Sequence, residues 1–169
     1  FAGSTRAGSL NQALLDLAVA EARRQGAEVT SIRLKDFDLP LYDGDLEASD
    51  FPAKARELKG LFRAHHGVLI ASPEYNGSVS GVLKNAIDWA TRPTDGEGLV
   101  ALSAFRGKVA GLMGASLSPF GGLRGVTHLR QILGTIQAVV ATEQVLVPAA
   151  HTAFDESGAR AAAMHGEPS

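Results

Sequence analysis

Residues 3–11 read Gly3-Ser4-Thr5-Arg6-Ala7-Gly8-Ser9-Leu10-Asn11 and combine two glycines, four hydroxyl or amide side chains and one arginine. Where such a run opens a helix, the free N–H groups of the first turn and the hydroxyls make a preformed anion site, and an arginine adds charge. A phosphate would fit. The same residues also suit a plainer reading, a flexible turn ahead of an N-capped helix with Arg6 in water, and both stay open. The run has no Gly-Lys-Ser/Thr, which argues against a nucleoside triphosphate site, and no Gly-x-Gly-x-x-Gly, which argues against dinucleotide binding in the Rossmann manner.

Two further stretches share this character, Ser72-Pro73-Glu74-Tyr75-Asn76-Gly77-Ser78 and Gly114-Ala115-Ser116-Leu117-Ser118-Pro119-Phe120-Gly121-Gly122. Glycine in a turn lets backbone N–H groups come close to a ligand. Other chemistry-bearing residues carry less. His65-His66 precedes a strand at its amino end, the wrong edge for chemistry, and suits a surface or helix-end role better than a metal. The Asp-rich stretch Asp36 to Asp50 lacks the spacing of a calcium loop and suits capping and solvation of a long connection. No Gly-x-Ser-x-Gly elbow supports Ser/His/Asp hydrolysis. No metal ligands are assigned.

The elements that must position these loops follow from periodicity. Ser9 to Gln25 carries Leu10, Ala13, Leu14, Leu17 and Ala18 at helical spacing, with Ser9 as N-cap and Gly26 past the end. Glu28 to Leu34 reads as a strand, followed by the turn-rich Lys35 to Asp50. Pro52 to His65 is a second helix, with Pro52 near its start. Gly67 to Ala71 is a continuous apolar run, the pattern of a central strand buried on both faces. Val79 to Ala90 is a helix, Lys108 to Met113 a strand, Leu123 to Ile136 a helix, and Ala138 to Val147 the last strand with its extension. Phe1-Ala2-Gly3 reads as the end of a strand whose beginning lies earlier in a longer chain, and Ala159 to Ser169 is short for a closing helix.

Strands alternating with helices make an α/β domain, a doubly wound parallel sheet of five strands with helices on both faces. Ligands of such sheets sit in the crevice outside the carboxyl ends of the strands. All three Gly- and Ser-rich loops leave strands at that edge.

The 169 residues suit a single domain, spanning residues 1–169. With 45% hydrophobic and 20% charged residues, the balance is that of a globular protein. A formal charge of -2 with scattered basic residues gives no case for nucleic acid. No apolar run is long enough for a membrane span and no signal peptide is visible, so a cytoplasmic protein is expected. The absence of cysteine excludes disulfides, thiolate metal sites and a cysteine nucleophile.

Pro-Glu-Tyr-Asn-Gly at residues 73–77, followed by Leu-Lys-Asn-Ala-Ile-Asp-Trp at residues 83–89, resembles the second signature of the NADPH-dependent FMN reductase family. Gly-Ser-x-Arg-x-x-Ser-x-Asn at residues 3–11 resembles its first, and residues 114–122 resemble its third flavin loop more loosely. The resemblance runs from Gly3 to about Val147. It implies a flavodoxin-like sheet of order 2-1-3-4-5, FMN as cofactor, NADPH or NADH as co-substrate, and a homodimer or homotetramer. By the same resemblance Ser4, Arg6, Ser9 and Asn11 fall where the family grips the FMN phosphate, although Arg6 also suits the phosphates of the pyridine nucleotide. Pro73, Glu74, Tyr75, Asn76 and Gly77 fall along the isoalloxazine ring, and Ser116, Gly121 and Gly122 beside it, with Phe120 either there or in packing. Tyr75 touches the ring or packs against a neighbouring subunit. Lys84, Asp88 and Trp89 lie on the helix through which the family pairs.

The implied activity is an oxidoreductase in which bound FMN takes hydride from NAD(P)H and reduces a small-molecule acceptor: free flavin, a quinone, an azo or nitro compound, or a metal oxyanion. The cofactor carries that chemistry, so no side chain is assigned as catalytic. Two other classes stay open at this point: a flavodoxin-type electron carrier, disfavoured by the near-neutral charge, and a flavin-free domain that keeps only the fold.

Overall fold

The computed structural model describes residues 1–154. Ser9, in extended conformation, caps the first helix, α1 (Leu10–Arg24), its Oγ accepting from the Gln12 N–H at 3.3 Å. No acidic residue sits in the first turn, and Arg23 and Arg24 in the last turn complement the helix dipole. A 3-10 turn (Leu34–Asp36) and a short helix, α2 (Gly44–Ser49), follow. Next come α3 (Ala53–Ala64), β1 (Gly67–Ala71), α4 (Gly81–Ala90), β2 (Val109–Ala115), α5 (Leu123–Thr135) and β3 (Val139–Val147).

The three strands form a parallel sheet in the order β1-β2-β3, with Ala71 opposite Met113 and Ala115 opposite Val147. Neighbouring residues of a strand face opposite sides of the sheet, and the core divides accordingly. Ile70, Ala110 and Leu112 pack with Leu58 of α3, Leu83 and Ile87 of α4, and Val126 and Leu129 of α5. Ala71, Met113 and Ala115 pack with Leu14, Leu15 and Val19 of α1. Helices thus cover both faces, as the alternation of elements requires.

Two expectations change. Glu28 to Leu34 does not form a strand, although Ala2 makes isolated parallel bridges to Arg33 on one side and Ala71 on the other. Among the described residues the segment's only bridge is the one between Ala2 and Arg33, and an isolated bridge does not make a ladder. The Asp-rich stretch is also more regular than a loop. Asp43 caps α2, its carboxylate accepting from the Asp45 and Leu46 N–H groups at 2.8 and 3.4 Å. The closing-helix expectation for Ala159 to Ser169 lies outside the described residues.

His65 ends α3 as expected: its Nδ1 lies 2.7 Å from the Leu61 carbonyl and its Nε2 2.9 Å from Thr30 Oγ1. Trp89 differs from its expected place at a subunit interface. It is fully buried within the chain, its Nε1–H donates to the Pro40 carbonyl at 2.8 Å, and Tyr42 and Phe51 meet it edge-on. Asn85 donates to the same carbonyl at 2.8 Å and accepts from the Tyr42 N–H, so α4 holds down the connection before α3.

Candidate active site

The chain leaves Ala2, β1 and β2 at one edge of the sheet, and these three exits are neighbours because Ala2 bridges Ala71 and β1 pairs with β2. Loop 1 (residues 3–9), loop 2 (residues 72–80) and loop 3 (residues 116–122) therefore start side by side. Each pair of loops is joined by polar contacts. Ser80, the N-cap of α4, donates its hydroxyl to the Gly3 carbonyl at 2.5 Å and ties loop 2 to loop 1. Asn11 spends both ends of its buried amide on Ala115, donating to its carbonyl and accepting from its N–H, each at 2.9 Å. That links the start of α1 to the root of loop 3.

The third link is ionic. The Glu74 carboxylate pairs with the Arg124 guanidinium, with Nε donating at 2.6 Å, and accepts from the backbone N–H groups of Arg124 and Gly125 at 3.1 and 3.3 Å. Loop 2 is thereby fastened to the first turn of α5, where loop 3 ends. Burial works to raise the Glu74 pKa, but Arg124 and the two N–H groups outweigh it and hold the carboxyl below its usual range.

Glycines make these approaches possible. A Cβ on Gly3 would meet Leu83 at 2.9 Å, and one on Gly114 would meet the Gly121 carbonyl oxygen at 2.9 Å. On Gly125 it would press on the Ser78 carbonyl at 3.1 Å and on Glu74 at 3.2 Å. Gly121 and Gly122 carry φ of 60° and 86°, a left-handed backbone open to glycine at little cost.

Loop 2 turns at Asn76-Gly77, with φ of 53° and 76°, while Tyr75 and Ser78 exchange backbone hydrogen bonds of 2.9 and 3.1 Å. Positive φ at both central residues is the type I′ pattern, which Asn-Gly favours. Tyr75 is exposed, and Pro73 is buried, its carbonyl accepting from the Ser72 hydroxyl at 3.0 Å. The Ser116 hydroxyl accepts from the Ser118 N–H at 3.1 Å, and the Ser116 N–H donates to the Val147 carbonyl at 3.1 Å. Arg6 is exposed, Ser4 half-buried and Ser9 buried. The expected site residues therefore all lie on this one edge, but the side chains of Asn11 and Glu74 face into the protein's own framework.

Sequence reasoning missed Ser80, Arg124 and Gly125. A signal existed for Gly125, since a glycine inside a helix costs about 1 kcal/mol against alanine and asks for a packing reason.

A comparison with protein families matches residues 1–152 to the model described as NADPH-dependent FMN reductase. The chain belongs to the NADPH-dependent FMN reductase family. It is 39% identical over 160 residues to an NAD(P)H-dependent FMN reductase of Pseudomonas aeruginosa, covering 94% of this chain and 80% of that one. A quinone reductase of Escherichia coli is 38% identical over 141 residues, covering 82% of this chain and 69% of that one. Among solved structures, FerB, a flavoenzyme NAD(P)H:(acceptor) oxidoreductase from Paracoccus denitrificans, superposes with a TM-score of 0.79 at 30% identity, covering 94% of this chain and 82% of that chain. Membership of the FMN reductase family carries with it an oxidoreductase activity that uses FMN, with NAD(P)H as co-substrate.

The residues present suit that cofactor. Loop 1 offers Ser4, Arg6, Ser9 and the start of a 15-residue helix, with no carboxylate on the loop or in the first helical turn, which is the donor set a phosphate dianion needs. A Cβ on Gly8 would point into open space, and one on Gly77 would meet only the Arg124 Cδ, at 4.0 Å, so the outer faces of both loops are open to a ligand.

Proposed function

We propose that the chain is an NAD(P)H-dependent flavin oxidoreductase whose FMN lies across the three clasped loops and whose acceptor is a small planar or oxyanionic molecule. The observation that carries this reading is the convergence of the three loops, fastened to one another directly or through the elements they adjoin, at one end of a parallel sheet in a chain that matches the family over residues 1–152. When bound, FMN supplies the redox chemistry, taking hydride from NAD(P)H and passing electrons to the acceptor.

The chain's own part is binding, orientation and charge. Ser4, Arg6 and Ser9, with the α1 N-terminus, hold the phosphate. Asn11 acts at one remove by fixing α1 to Ala115. Pro73, Tyr75, Asn76 and Gly77 line the ring edge through backbone as much as through side chains, and Ser116, Gly121 and Gly122 line it from loop 3. Backbone N–H groups held near a ring that gains negative charge stabilise that charge without moving. No general acid or base is needed.

The fuller sheet order 2-1-3-4-5 belongs to this reading and draws support from Ala2, which sits between Arg33 and Ala71. So does a homodimer or homotetramer, supported by the exposed Leu41, Tyr75, Leu99 and Val100. A cytoplasmic setting follows from the use of NAD(P)H. Among the described residues no helix is long and apolar enough to cross a membrane.

The test is a visible absorption spectrum after FMN addition and desalting, followed by NADPH oxidation with a quinone. A retained flavin band and sustained NADPH consumption are expected. Retained flavin with no NADPH consumption would instead mark an electron carrier, and colourless protein would mark a domain without the cofactor.

A further inference from the structure

Glu74 falls in the segment aligned with the flavin ring, yet its carboxylate is turned to α5. Three donors fill it: the Arg124 side chain and the N–H groups of Arg124 and Gly125. Arg124 is itself steered from the other side, with its guanidinium 5.6 Å from the centre of the Phe120 ring on loop 3. Beyond this clasp, loop 2 reaches α5 through Ser78 Oγ, 3.1 Å from His128 Nδ1. The Asn76-Gly77 turn is otherwise closed by the Tyr75–Ser78 exchange alone, and a lone two-residue turn in water is marginal. Gly125 has no side chain to hold loop 2 away, so the approach of Glu74 and Ser78 to α5 is close by construction.

We propose that Glu74 is a positioning residue for the flavin ring: by occupying the N-terminus of α5 and pairing with Arg124, it fixes the Asn76-Gly77 turn at the place where backbone N–H groups meet the ring edge. The proposal rests on the flavin reading given above. It assigns Glu74 no contact with the ring. It also explains why a carboxylate stands in a loop beside a cofactor that becomes more negative on reduction. Its charge is spent on Arg124 and on the dipole of α5, so the ring does not meet it.

Glu74→Gln keeps an oxygen that can accept from the two N–H groups but loses the ion pair, and Glu74→Ala loses both. FMN affinity, measured by quenching of flavin fluorescence, is expected to fall about tenfold in Glu74→Gln and further in Glu74→Ala. The midpoint potential of the bound flavin is expected to move to more negative values in the same order, because displaced N–H groups cost the reduced ring more than the oxidised one. Glu74→Asp, one methylene short of α5, should not restore either. Arg124→Gln should match Glu74→Gln, and the double variant should be no worse than either single one. Amide hydrogen exchange on the flavin-free protein supplies an independent arm, in which residues 75–78 exchange faster in Glu74→Ala while α1 keeps its parental protection.

Variants that melt earlier but keep the parental FMN affinity, potential and exchange at residues 75–78 would make Glu74 a fold stabiliser and overturn the proposal. If the parent protein bound no FMN, the flavin reading would fall by itself, and unchanged exchange at residues 75–78 would still decide separately against the clasp.

Discussion

The two ends of the same sheet are built in opposite ways. At the carboxyl end, three loops are locked to one another by Ser80, Asn11 and Glu74, and backbone approaches are so close that a methyl group on Gly114 would strike the Gly121 carbonyl. Toward the amino end the surroundings are of another kind: Leu15, Val19, Leu61, Phe62 and Leu69, from α1, α3 and β1, line one largely apolar groove. The carboxyl end concentrates donors, positive φ angles and glycines, and it is there that the family signatures fall. On the flavin reading proposed above, a flat, charged cofactor at this edge is served by firmly held backbone.

The largest effect expected outside the site concerns Lys59. Its ammonium group is buried and pairs with Glu97, in the connection that leads back to β2. Lys59→Ala takes the nearest cation from that carboxylate, which keeps Ser103, the Thr94 N–H and Arg63 at 3.9 Å, and is expected to cost up to about 3–5 kcal/mol in denaturant unfolding, while FMN affinity of the folded fraction stays at the parental value. A loss of affinity on the same scale would mean that the two regions are not independent. The pair also sets a pH dependence. Burial pushes the Glu97 pKa up, but Lys59, Ser103 and the Thr94 N–H outweigh it and bring it from 4.5 down to about 2. Its stabilisation is full above the ordinary glutamate value and is lost as pH falls from there toward 2. Melting temperature should decline over that range, and the decline attributable to this pair should vanish in Glu97→Gln.

Riboflavin, which has the ring without the phosphate, isolates loop 1. Hydrogen bonds to a charged group contribute roughly 1.5–3 kcal/mol each, so riboflavin should bind on the order of a hundredfold or more weaker than FMN. Ser9→Ala should narrow that gap and cost about 1 kcal/mol of stability through the lost cap. Equal affinities in the parent protein would remove loop 1 from the comparison.

Gly77→Val tests the turn. A side chain at φ of 76° is strained by roughly 1–2 kcal/mol, and the expected result is FMN affinity lower by about tenfold with the melting temperature down by only a few degrees. Parental affinity and quinone turnover would show that loop 2 does not meet the ring. The smallest effect belongs to the amino end. Leu61, half-buried, should cost less on replacement by alanine than fully buried Leu58, for which about 2–5 kcal/mol is expected, and chemical denaturation of the two variants would rank them. Neither should alter flavin binding.

Much of this arrangement was legible in the residues. The 3.6-residue spacing marked α1 and α4, Ser9 marked the start of α1, and the apolar run Gly67 to Ala71 marked β1. Three glycine-rich loops at strand ends pointed to the candidate site. What stayed hidden was the direction of side chains. Asn11 and Glu74 are the residue types a ligand would recruit, and their use on Ala115 and α5 depends on which loops become neighbours, a property of the folded sheet. The Glu28 to Leu34 segment has a strand's composition but makes, among the described residues, only the isolated bridge at Arg33, and composition does not report pairing; α2 has six residues, too few for an apolar period to declare itself. Trp89 read as an interface residue because the resemblance implies pairing through its helix, whereas its indole is consumed by Pro40, Tyr42 and Phe51.

That indole is the chain's single tryptophan, and its placement makes it an optical probe built into the molecule. Sealed from water, its emission should lie to the blue and resist dissolved quenchers for as long as the Pro40 to Phe51 segment stays seated on α4. Release of that segment would redden the emission before the sheet itself came apart, so one fluorescence channel distinguishes loosening of a surface connection from global unfolding. Because α4 begins directly after loop 2, resonance energy transfer from this donor to a bound flavin would report cofactor occupancy in the same cuvette, without any label.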